Sequence, residues 1–138
     1  VWWFRKYNRR VKLMGYNKNS TIDFWDAVNN LMSGIKDDYY NWTNPNGVEG
    51  IIKDIKLRSI QDFNESLNIK VGRKYTKVLQ GSSVWGFIAN QDGTHKGIPH
   101  RKGDVFKAAG WRAPAKWARG NIFDGGKFYR WTGPNYLI

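Results

Sequence analysis

Arg73, Lys74, Lys107, Arg112, Lys116 and Arg119 are long cations, and Trp117 stands among the last of them. The chemistry this set offers first is recognition of a polyanion. Cations neutralise phosphates and flat rings stack on bases, so the combination points to nucleic acid, DNA or RNA. The setting strengthens the reading. From Lys70 to Ile138 there are thirteen basic residues against Asp92, Asp104 and Asp124 alone, so this half carries about ten of the twelve net positive charges. It also holds eleven aromatic residues, including Trp85, Trp111, Trp117 and Trp131. Filling a core explains most of the rings, but it does not explain so one-sided a charge.

The densest part is residues 101–124, where Ala108, Ala109, Gly110, Ala113, Ala115, Ala118 and Gly120 are interleaved with Lys107, Trp111, Arg112, Lys116, Trp117 and Arg119. Small residues let a backbone approach a partner closely while long cations reach out beside it. Pro114 can open a short helical turn ended by Gly120, which would set Lys116 and Arg119 on one side to hold phosphates. For Trp111 and Trp117 alone, a role as core anchors is the stronger reading. Arg73, Lys74, Arg112, Lys116 and Arg119 are expected to form one connected positive face, apart from Asp37, Asp38, Glu49 and Asp54.

Other chemistries find little support. His95 and His100 lie five apart in a loop containing Gly97 and Pro99, which excludes a helical metal pair, and loop histidines are usually surface residues. Asp104 with Lys107 suggests a nuclease pair, but metal-dependent phosphodiester cleavage needs several converging acids. The chain has no Gly-x-x-x-x-Gly-Lys, Gly-x-Gly-x-x-Gly or Gly-x-Ser-x-Gly motif. The expectation is a protein without catalytic residues, metal or cofactor. No cysteine is present, so disulfides and thiolate metal sites are excluded. No apolar run reaches the roughly 18 residues of a membrane span, and no charged-then-apolar leader indicates secretion.

The elements that must position these residues read as an α+β domain: two helices in the N-terminal half and a small antiparallel sheet in the C-terminal half. A length of 138 residues and 41% hydrophobic composition fit one compact domain, with a mainly helical part at 1–68 and a basic, β-rich part at 69–138. A helix is predicted over about 21–33, capped by Ser20 or Thr21, with Asp23 and Asp26 in its first turn and Gly34 as its stop. Phe24, Val28, Leu31, Met32 and Ile35 form its buried stripe, and Phe24 and Trp25 are expected to be largely buried. Asn44-Pro45-Asn46-Gly47 reads as a turn, Ile51 to Leu57 as a short strand, and Ser59 to about Asn68 as a second helix with Ser59 and Asp62 as a capping box.

After Asn68 the period changes to two. Ile69, Val71, Tyr75 and Leu79 predict a strand, which Gln80-Gly81-Ser82-Ser83 turns into a second at Val84 to Asn90, pairing as a hairpin. Shorter strands are expected at Asp104–Ala109 and Lys127–Trp131. The first eighteen residues carry six cations and no acid, whereas residues 19–69 are net acidic and read as a solvated face turned away from the ligand. Val1-Trp2-Trp3-Phe4 is expected to pack into the fold or against a protein partner, including a second copy. Trp42-Thr-Asn-Pro-Asn recurs loosely as Trp131-Thr-Gly-Pro-Asn, which is too little for a repeat.

Lys107-Ala-Ala-Gly-Trp-Arg-Ala-Pro-Ala-Lys, followed by Ala118-Arg-Gly-Asn-Ile and preceded by Val71-Gly-Arg-Lys-Tyr, resembles small uncharacterised proteins of tailed bacteriophages. The resemblance covers roughly the last seventy residues and brings no activity. It implies a phage protein, placed in the cytoplasm of an infected host or in a virion. A virion component with its basic face toward packaged genome or an acidic protein is therefore the alternative to a nucleic-acid-binding protein.

Overall fold

The structure, a computed structural model, describes residues 22–135. It is an α+β arrangement with two helices in the N-terminal half and antiparallel sheets in the C-terminal half. The apolar Val1–Phe4 segment and the expected Ser20 or Thr21 cap lie outside the described residues.

Helix α1 spans Phe24–Thr43. Asp23 is its N-cap, accepting a 2.8 Å hydrogen bond from the Trp25 N–H. Phe24, Ala27, Val28, Leu31, Met32 and Ile35 are buried along one stripe, while Trp25 is half-buried. The helix does not stop at Gly34 but runs on to Asn44, which takes the left-handed conformation at φ 51°. Gly34 serves packing instead: a Cβ there would collide with the Tyr129 hydroxyl.

A 3₁₀ turn over Pro45–Gly47 leads to helix α2, Ile51–Ser66. This corrects the expected strand at Ile51 to Leu57. Only Ile60 and Phe63 are buried in α2, so the isoleucine run at its start marks exposed helix surface. Ser59 sits mid-helix, so the expected capping box with Asp62 does not form. Lys56 Nζ instead donates to the Thr43 carbonyl at 2.8 Å, satisfying the C-terminal end of α1.

Among the described residues, nine strands follow. Five of them, β1 (Leu67–Val71), β2 (Tyr75–Gln80), β3 (Ser83–Ala89), β6 (Asp104–Ala108) and β7 (Pro114–Asn121), form the main antiparallel sheet in that order. The expected hairpin is β2 with β3. The single strand expected from Ile69 to Leu79 is broken in two at Gly72, whose N–H donates to the Tyr75 carbonyl at 2.9 Å. A Cβ at Gly72 would stand 2.8 Å from that same oxygen, so the tight turn depends on glycine. A hairpin of β4 (Gly93–His95) with β5 (Ile98–His100) and a small pair of β8 (Tyr129–Arg130) with β9 (Gly133–Pro134) complete the fold.

The sheet has two covered faces. Val78, Ile88 and Val105 point at α1 and share one core with Phe24, Leu31, Ile35, Phe63 and Leu67, so both halves of the chain build it. Trp85 joins this core because a bulge leaves it without a partner between the Val78–Gly86 and Leu79–Val84 pairs. Its indole N–H donates to the Arg130 carbonyl at 2.9 Å. On the other face Phe87, Ala89 and Phe106 pack with Tyr75 and Ala118. His95 and His100 stand against Tyr75 and Phe106 there, with ring centroids about 6 Å apart. They are half-buried parts of the core cover, not the surface loop residues expected.

Two acids also take structural roles. Asp104 is buried and accepts from the Arg101 N–H at 2.9 Å and from Asn121 Nδ2 at 2.9 Å. Asp38, expected on the solvated acidic face, pairs with Lys127 at 2.6 Å and accepts from the Trp131 N–H at 2.9 Å. Asp37, Glu49 and Asp54 are exposed.

Candidate nucleic-acid interface

The β1–β2 turn, the β2 strand and the β6–β7 loop deliver cations to one place. Lys70 comes from β1, Arg73 and Lys74 from the turn, Lys77 from β2 and Arg112 from the loop, and together they line a cavity of about 240 Å³. Its remaining walls are Gly72, Tyr75 and Phe87, with no acid among them. Tyr75 and Lys77 share a sheet face because they are two apart on one strand, and Lys77 pairs in register with Phe87 on β3. Burial pushes the Tyr75 phenol above its ordinary pKa, so the ring keeps its proton well past neutrality.

Arg112 reaches this cavity because the loop folds back tightly. The Ala109 and Gly110 N–H groups both donate to the Ala113 carbonyl, at 2.9 and 3.3 Å. At the tip, the Trp111 ring lies under Lys77 Nζ, 4.4 Å from ring centroid to nitrogen. Of the small residues of the segment, Ala109, Gly110 and Ala113 lie in this closure, Ala108 is on β6, and Ala115, Ala118 and Gly120 are on β7.

The expected face is only partly assembled. Arg73, Lys74 and Arg112 meet, but Lys116 and Arg119 do not join them. Residues 114–121 form strand β7, not a helical turn, because Ala118 pairs with Phe106 and Pro114 with Ala108 along β6. Proline is tolerated there as the first residue of an edge strand. Lys116 and Trp117 are exposed on this edge, opposite to β1 in the sheet order, with the ammonium 5.4 Å from the Trp117 ring centroid. Arg119 is the unpaired residue between the Val105–Gly120 and Phe106–Ala118 pairs. The bulge turns it inward, where its guanidinium donates to the Asn135 carbonyl at 2.9 Å. Lys107 is not among the cavity-lining residues, and a Cβ at Gly133 would lie 3.8 Å from its Nζ.

Lys70, Lys77 and Tyr75 belong to the cavity and were not singled out from the sequence. The signal for them was available in the two-residue alternation of the strands, which sets Tyr75 and Lys77 on one face. Arg112 meeting them depends on a loop crossing that no local pattern encodes.

Among the described residues there is no group of three or more His, Cys, Asp or Glu arranged to hold a metal ion. No helix among them is long and apolar enough to cross a membrane. What fold and site define is an α+β domain with a basic cavity on one sheet face. A family model matches residues 5–130, and the chain belongs to that family, DUF7717, a family of unknown function. No curated protein and no solved structure matches it.

Proposed function

We propose that this domain binds nucleic acid through its phosphates, at the cavity bounded by Lys70, Arg73, Lys74, Lys77 and Arg112. The observation that carries the reading is the convergence of these five cations from four segments, β1, the β1–β2 turn, β2 and the β6–β7 loop, with no acid among the lining residues. Like charges brought together repel unless a polyanion neutralises them, and release of the ions condensed on the phosphate backbone drives such binding. Trp111, about half exposed and in contact with Lys77, offers ring surface beside these cations for unpaired bases. No catalytic step is part of this reading. The experiment is a salt titration of binding to single-stranded DNA, duplex DNA and RNA. A linear fall of log affinity with log salt supports phosphate contacts, and absence of binding at low salt overturns them.

A second reading, a phage virion component, is favoured by a different feature. Ile51, Ile52 and Ile55 are exposed on α2, an apolar surface suited to a protein partner while the basic cavity meets packaged genome. The resemblance of the C-terminal half to tailed-phage proteins supports an infected cytoplasm or a virion as the setting for either reading.

A further inference from the structure

Away from the basic cavity, four aromatic rings from α1, α2 and the C-terminal segment form one surface. Tyr39 stacks on Phe63 with centroids 4.2 Å apart and planes 8° from parallel. Trp131 stands edge-on to both, at 5.0 and 5.9 Å. Trp42 lies 4.9 Å from Trp131 and 5.8 Å from Tyr39, yet remains 66% exposed. An exposed tryptophan is usually free to move; this one is held from behind by two rings. The backbone N–H of Trp131 donates to Asp38, which Lys127 pairs, so the chain is held where the ring leaves it.

These rings line an open groove of about 440 Å³, within the usual range of roughly 300–1,000 Å³ for small-molecule sites. Its rim carries Ser59, Asp62 and Gln80. Their side chains make no hydrogen bond or ion pair among the described residues, so their polar atoms are available to a ligand.

The geometry selects among ligand classes. An ammonium cage needs ring faces standing apart with a cation between them, within about 6 Å of each centroid. Here the rings touch one another and leave no such gap. A nucleic-acid strand is disfavoured because the groove has no cationic lining residue and has Asp62 at its rim. A flat ring bordered by a carboxylate, a hydroxyl and an amide instead matches a sugar, whose C–H face lies on an aromatic ring while its edge hydroxyls need donors and acceptors. We propose that this groove is a carbohydrate-binding site, taking a neutral oligosaccharide with one pyranose ring on Trp42 and its hydroxyls bonded by Asp62, Ser59 and Gln80. The site is separate from the basic cavity and does not depend on the reading given to it.

The test titrates the full chain with cellopentaose, maltopentaose and chitopentaose, following tryptophan fluorescence and the Trp42 indole resonance. At least one sugar is expected to give a saturable change at millimolar concentration or below. Trp42→Ala should weaken it by roughly tenfold to a hundredfold, as removal of a central aromatic anchor does. Asp62→Ala, a change at an exposed position that leaves the core intact, should weaken it as well. Binding of a labelled single-stranded oligonucleotide should be the same in both variants. No saturable response to any of the three sugars overturns the proposal. A response that survives both substitutions also overturns it. So does dissociation of an oligomer by Trp42→Ala without any sugar response, which would make the groove a protein interface.

Discussion

Lys77 holds its ammonium 4.4 Å from the centre of the Trp111 ring, joining β2 to the tip of a loop that leaves the sheet two strands away. The pairing settles where Arg112 points, because Arg112 is the next residue on that loop and lines the same cavity as Lys77. A cation–ring pair at an exposed site contributes about 0.5–1 kcal/mol. Trp111→Ala is therefore expected to lower folding stability only slightly, measured by urea unfolding. Its effect on oligonucleotide affinity should be larger, because the loop that carries Arg112 loses its anchor and the ring surface goes with it. Affinity unchanged in Trp111→Ala would separate the loop from binding.

Arg73→Ala and Lys74→Ala, made together, should weaken binding to all nucleic-acid sequences alike. The salt dependence should become shallower by about one unit for each phosphate that is no longer neutralised. Arg119→Ala provides the contrast. Its guanidinium is committed to the Asn135 carbonyl, so the slope should stay as it is while the protein loses about 1 kcal/mol of stability. An equal change of slope in both variants would mean that the cavity is not where phosphates bind.

Phe24 is 7% exposed, edge-on to Trp25 at 4.7 Å and near Phe123 at 6.3 Å. Truncation to alanine leaves a hole where the first turn of α1 meets the core, and should destabilise by about 3–5 kcal/mol. Chemical denaturation reads this directly, and a change within ordinary surface variation would contradict the packing.

Gly34→Ala tests whether glycine is in α1 for close packing or by accident. Helix propensity alone favours alanine by about 1 kcal/mol. The collision with Tyr129 opposes it, and overpacking typically costs about 1–3 kcal/mol, so the net expectation is loss of stability. In a Tyr129→Ala background the same substitution should become neutral or stabilising, a coupling that a double-mutant cycle of urea midpoints measures.

Asp38 makes stability depend on pH. Burial by itself would raise its carboxyl. The hydrogen bonds from Lys127 and the Trp131 N–H, with the charges of Lys127 and Arg130, outweigh it and hold the pKa below the ordinary value. A depressed carboxyl contributes its full stabilisation above the unfolded-state pKa, about 3.9 for an aspartate, and loses it as pH falls through the folded-state value. Unfolding midpoints of the wild type should therefore fall on acidification below about pH 4, and those of Asp38→Asn should fall less. Parallel curves for the two proteins would show that this pair does not carry the dependence.

Much of the architecture was legible in the order of residues. The stripe of Phe24, Val28, Leu31 and Ile35 follows from helical periodicity, and the β2–β3 hairpin follows from alternation around Gly81 and Ser82. Both signals are local: each residue's environment is set by neighbours a few positions away. The same locality misled at Ile51 to Leu57, where branched side chains favour a strand. Tertiary context overrode that weak preference and left the isoleucines exposed on α2. At Gly34 the missing Cβ that ends many helices makes room for Tyr129, a residue ninety-five positions later.

The one-sided charge of the C-terminal half was a property of the sequence, but which cations stand together was not. Strand bulges and loop crossings decide that. One extra residue at Arg119 turns its side chain inward to Asn135, and the fold of residues 109–113 carries Arg112 over to Lys77. Composition therefore determined that this protein presents positive charge and aromatic surface. Only the tertiary structure decided where each gathers, bringing five cations into one cavity beside Tyr75 and Phe87 and setting Tyr39, Trp42, Phe63 and Trp131 in a groove without cations. The physical reason is that each convergence joins residues tens of positions apart, and such pairings form only when the whole core closes.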